Sequence, residues 1–149
     1  MKDTDLANCK DCINFNILIM KRDVFNDCIN AVLEHVIEGL KDDIKNQLEF
    51  ISADGGMCDN EESLCNLKVS LSQLESSILF LSYMKNGEEA DRETKESIHT
   101  TLYVETPYYG FVVIEIINES GIDADAEEFN KILISYLEGK ISINDIEDN

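Results

Sequence analysis

"SIHTTLYVETPYYGFVVIEII", residues 97–117, is the stretch whose periodicity decides how the rest of this sequence folds. Its arms, SIHTTLYVE and FVVIEII, are rich in β-branched residues and flank TPYYG, which holds the single proline of the chain. Branched and aromatic residues suit a pleated surface, and a short loop of turn residues between two such runs predicts a β-hairpin. Ile98, Thr100, Leu102 and Val104 then share one face of the first strand, and Val112, Ile114 and Ile116 one face of the second. The opposite face carries His99, Thr101, Tyr103, Glu105, Phe111, Val113 and Glu115, too apolar a set to be wholly wet.

Upstream, CINFNILIM alternates apolar and polar residues through Ile13, Phe15, Ile17 and Ile19, which predicts a strand over 12–20. From Asp23 the period lengthens. Phe25, Ile29, Val32, Val36, Leu40, Ile44 and Leu48 recur every three or four residues, giving a long amphipathic helix to about Phe50, weakened in its middle by Gly39. SADGGMCDN breaks it, and Asp59 with Glu62 forms the signature of a capping box. In the second helix Leu64, Leu67, Leu71, Leu74, Ile78 and Leu81 alternate spacings of three and four. That seam predicts an antiparallel pair with the first helix, the alternative being a coiled-coil homodimer.

Residues 86–96 are nearly all polar and start with the Asn86-Gly87 helix stop, so they are expected as a surface connector or mobile loop. After the hairpin, GIDADAEEFNKILISYLEGK predicts a third helix: Asp125 as N-cap, Glu128 as its box partner, and Phe129, Ile132, Leu133, Tyr136 and Leu137 as its apolar stripe up to Gly139. Residues 141–149 fit a short strand through Ile141 and Ile143, or an acidic tail. The expectation is a single α+β domain over 1–149, in which an antiparallel sheet (N-terminal strand plus C-terminal hairpin) is covered by two long helices and a C-terminal helix.

Charge narrows the function classes. With 31 acids against 12 bases the chain carries −19, and successive thirds run from −4 through −6 to −9. This sign disfavours direct binding to nucleic acid or an anionic membrane, because both need cations that meet phosphate. It favours a basic partner protein. No apolar run reaches the roughly 20 residues of a membrane span, and MKDTDLANCKDC lacks a signal-peptide layout, so a cytoplasmic protein with reduced thiols is expected.

Sites of chemistry are few. A calcium loop starting at Asp123 fails at its sixth and twelfth positions, where Glu128 and Ile134 stand. Cys9, Cys12, Cys58 and Cys65 supply two thiol pairs able to close a tetrahedral zinc site, although the second pair is spaced more widely than usual and Cys12 suits a buried strand; Cys28 suits the core. No glycine-rich phosphate loop and no local nucleophile signature around His35 or His99 is present, so no catalytic residue is assigned.

What remains is an interaction surface. Tyr103, Tyr108, Tyr109 and Phe111 form an aromatic cluster, ringed by Glu105, Glu115, Glu119, Asp123, Asp125, Glu127 and Glu128, a spacing of charge able to imitate a phosphate backbone. In composition the chain resembles phage anti-defence inhibitors, such as anti-CRISPR and anti-restriction proteins, and toxin-immunity proteins. That resemblance implies a non-catalytic inhibitor, without cofactor, that docks on the basic surface of a nucleic-acid-handling protein. The alternatives are a dimeric adaptor or chaperone-like module holding a partner by apolar surface, and a cysteine- or zinc-dependent regulator.

Overall fold

The computed structural model describes residues 20–53, 61–104 and 109–146, and among them the chain is helical, with no strand. Helix α1 spans Arg22–Ala53, α2 Glu61–Asn86, α3 Arg92–His99, α4 Tyr109–Ser120 and α5 Ala126–Leu137. A π-helical turn, Thr100–Val104, prolongs α3, and a 3-10 turn, Ile143–Asp145, follows α5.

The expected α+β fold is therefore corrected to a helical one. Residues of the expected strand at 12–19 lie outside the described set. Both arms of the expected hairpin are helical, because the buried residues recur every four positions: Thr94, Ile98 and Leu102 on α3 and its extension, Val113 and Ile117 on α4. A spacing of four belongs to a strand face and a helix face alike. The residues between decide it, and Val104, which a strand would bury with Leu102, is 58% exposed. The terminal strand is likewise a 3-10 turn, capped by Ser142 and Asp145, that buries Ile141, Ile143 and Ile146.

The connector is shorter than its polarity implied. Asn86 closes α2, Gly87 takes the left-handed conformation (φ +70°), and Glu88 N–H donates to Tyr83 O at 2.9 Å. This is a Schellman stop, which frees glycine to satisfy carbonyls that the helix leaves unpaired. Asp91 then caps α3 by accepting from Thr94 N–H at 2.7 Å, so residues 92–96 are helix.

An aromatic cluster centres the core. Phe25 of α1 lies 5.5 Å from Phe129 and 6.4 Å from Tyr136, both on α5, and Phe80 of α2 lies 6.1 Å from Tyr136, ring centre to ring centre. Tilted and edge-on pairs at such distances add to the burial of the rings. Tyr136 is fully buried, its hydroxyl accepting from Ala90 N–H at 2.9 Å. Glu89 beside it accepts from Ile143 N–H at 2.8 Å and from Lys95 at 3.0 Å, and Arg22 donates to Ile143 O at 2.9 Å. These bonds hold the C-terminal turn against the connector and the start of α1.

Only part of the long hairpin made by α1 and α2 joins this core. Buried apolar residues of α1 end at Leu40, and those of α2 begin at Phe80. Beyond them the two helices run on as an antiparallel pair, bridged by Gln47 Nε2 donating to Ser70 Oγ at 3.1 Å. Among the described residues no helix is long and apolar enough to cross a membrane.

Candidate interaction surface

Helix α4 turns Val113 and Ile117 inward, so Phe111, Glu115 and Glu119, four residues apart, fall on its outer side. Phe111 is 73% exposed. Gly121 (φ +82°) ends the helix, and the short connection to α5 presents exposed Asp123. At α5 the backbone N–H groups of Glu127 and Glu128 donate to Asp125 Oδ1 at 3.1 and 3.2 Å. Asp125, Glu127 and Glu128 therefore sit on the positive end of the α5 dipole, which offsets part of their charge. Glu115, Glu119 and Asp123 have no such relief.

Among the described residues none of these carboxylates forms an ion pair, and the nearest cation along the chain is Lys131, one turn beyond Glu127 on α5. Residues 96–130 contain eight acids and no lysine or arginine. The ion pairs among the described residues involve Glu89, Glu96 and Glu138 instead, all on the side of α3 and the C-terminal turn. Among the described residues the α4–α5 corner is thus rich in unpaired carboxylates, with the Phe111 ring exposed beside them.

Of the expected aromatic cluster, the structure describes the side chains of Tyr103 and Phe111. Tyr103 is half-buried, its hydroxyl donating to Asn130 Oδ1 at 2.7 Å and its ring 5.8 Å from that of His99. Burial pushes its phenol well above the usual range, so it is a packing residue that ties the π turn to α5. Tyr109 opens α4, whereas Glu105 and Tyr108 lie outside the described residues. Of the predicted contact residues, Phe111, Glu115 and Glu119 lie on α4, Asp123 on the connection that follows, and Asp125, Glu127 and Glu128 at the start of α5.

The thiols separate similarly. Cys28 is buried in α1 and its thiol is pushed up to about 12, first by burial and then by Asp27, so it stays protonated and inert at neutral pH. Cys65 is exposed on α2. Cys9, Cys12 and Cys58 lie outside the described residues, and among the described ones no group of three or more His, Cys, Asp or Glu is placed to hold a metal.

A second surface includes part of the leucine seam read from the sequence. On the projecting half of the α1–α2 pair, Leu48 and Phe50 of α1 and Leu64, Leu71, Ile78 and Leu79 of α2 are all exposed. Ile44, Leu48, Leu71 and Leu74 line an open groove of about 640 Å³ with Lys41 and Lys45 at its rim. The signal was present in the heptad seam: Leu67, Leu74 and Leu81 are half-buried against the pair, but the companion row Leu64, Leu71 and Ile78 faces outward. Compared with known proteins, the chain matches no protein-family model, and no curated protein and no solved structure matches it either.

Proposed function

We propose that this protein is a non-enzymatic binding protein that docks the acidic α4–α5 corner on a basic surface of a partner protein, and that the partner is one whose own ligand is nucleic acid. The supporting observation is Phe111, 73% exposed on the same side of α4 as Glu115 and Glu119, neither of which forms an ion pair among the described residues. An exposed aromatic ring supplies the anchor and the ring of carboxylates steers the encounter, the usual division of labour at a charged interface. Carboxylates in a rigid array occupy the place of phosphates, so inhibition works by occupancy and needs no cofactor.

The test uses immobilised protein and lysate of the native host across a salt series. Partners captured by the wild type are expected to be lost with Glu115→Lys/Glu119→Lys, to be lost with Phe111→Ala, and to be displaced by added DNA or RNA. Capture that is unchanged by the charge reversal at low salt would refute the docking mode.

A further inference from the structure

We propose that the projecting half of the α1–α2 pair is a self-association surface, on which α2 of a second copy lies antiparallel across a two-fold axis at Leu71. The exposed side of α2 reads Leu64, Lys68, Leu71, Glu75, Ile78, Leu79, all within a narrow arc of the helix. Antiparallel pairing about the point between residues 71 and 72 places Lys68 opposite Glu75 of the partner, and Glu75 opposite its Lys68. It also places Leu64 opposite Leu79 twice and brings the two Leu71 side chains together. A two-fold interface must be self-complementary in this way.

Three observations favour a second copy over another occupant. Lys68 and Glu75 are both exposed and neither forms an ion pair among the described residues; seven residues apart along one helix, they are about 10 Å from each other in rise and cannot pair internally. Residues 63–79 carry only that one lysine and one glutamate, so α2's own contribution to this face is neutral, with Glu93 and Glu96 of α3 along the groove beside Lys68. Finally, the groove lined by Leu48 and Leu71 runs beside the exposed row, so the partner's leucines have an apolar floor to enter. From Leu64 to Leu79 the face runs about 22 Å, short for a permanent interface, which makes the dimer a reversible one.

Sedimentation velocity over a concentration series tests this. The wild type is expected to move from one chain mass toward two, and Leu71→Glu to stay at one with its far-UV circular dichroism unchanged. Lys68→Glu and Glu75→Lys, each alone, place like charges opposite each other twice and weaken self-association about tenfold or more. Mixed together, the two single variants restore both pairs and form a heterodimer at wild-type concentrations. A wild type that remains one chain at every concentration overturns the proposal. Dimerisation that ignores Leu71→Glu, or a mixture no better associated than the single variants, overturns it equally.

Discussion

Replacing Tyr136 by Phe removes one oxygen from the centre of the molecule and tests how the core, the connector and the C-terminal turn are joined. The ring is fully buried between Phe25 and Phe80, with Lys95 Nζ 4.8 Å from its centroid, and all of that packing survives the substitution. What is lost is the acceptor for Ala90 N–H, 2.9 Å away in a buried setting, and the hydroxyl's bond to Glu89. A buried donor left without a partner costs about 1–3 kcal/mol. For a domain near 150 residues each kcal/mol lowers the melting temperature by about 2–4 °C, so Tyr136→Phe should melt roughly 2–12 °C below wild type. Thermal unfolding followed by circular dichroism reads this directly. Tyr83→Phe is the control, since that hydroxyl donates to Asp91 at 2.9 Å on the exposed surface and its loss leaves no buried group unpaired. Equal shifts for the two variants, or no shift for Tyr136→Phe, would refute the claim that the Tyr136 hydroxyl holds the connector onto α5.

Gly87 and Gly39 should respond to alanine with opposite signs: both have open space where a Cβ would stand, but Gly87 sits at φ +70° and should lose about 1–2 kcal/mol, whereas Gly39, inside α1, should gain up to about 1 kcal/mol in denaturant melts. Glu89 gives a pH dependence. Burial alone would raise its pKa, but Ile143 N–H, Lys95 and the Tyr136 hydroxyl together hold it below the usual glutamate value. Its folded value being depressed, the stabilisation is present above the unfolded value of about 4.3 and disappears as pH falls through the lower folded one. The stability difference between wild type and Glu89→Gln should therefore shrink below about pH 4, as read by urea melts at several pH values. Reversing Glu127 and Glu128 to Lys should slow association with a basic partner while the melting temperature drops only slightly, because both lie at the α5 N-terminus, where the dipole favours acids; stopped-flow association at low salt measures it.

The helices that could be read from sequence were those with a long enough pattern. Phe25 to Leu40 repeats at three and four over several turns, a run no strand can imitate, and Asp125 announces α5 through a cap that the structure contains at 3.1 and 3.2 Å. Residues 97–117 offered less. Ile98 with Leu102 and Val113 with Ile117 fit both periods, and the residue that would have extended the first series, Thr94, is a buried hydroxyl inside a polar stretch, invisible to hydropathy. Packing on α2 and α5 then overrides the strand preference of the branched side chains. The acids of the candidate surface were legible because exposure is the default for a carboxylate. The place of Tyr103 was not, since it turns inward for a partner, Asn130, that lies 27 positions away.

The two surfaces differ in what holds them, and their positions keep them independent. Phe25 touches Phe129 near the start of α5, so the acidic corner stands beside the first turns of α1. Leu48 lies 23 residues further along that helix, about 35 Å away. A two-fold axis at Leu71 therefore leaves both acidic corners of the dimer uncovered, at its outer ends. Ionic strength should act on them differently. Screening weakens attraction between the acidic corner and a basic groove; at the proposed self-association face it weakens the two Lys68–Glu75 pairs but also lowers the repulsion between two −19 chains, and the apolar contact around Leu71 is untouched. If both proposals hold, added salt should abolish docking over a range in which self-association, carried by burial, persists.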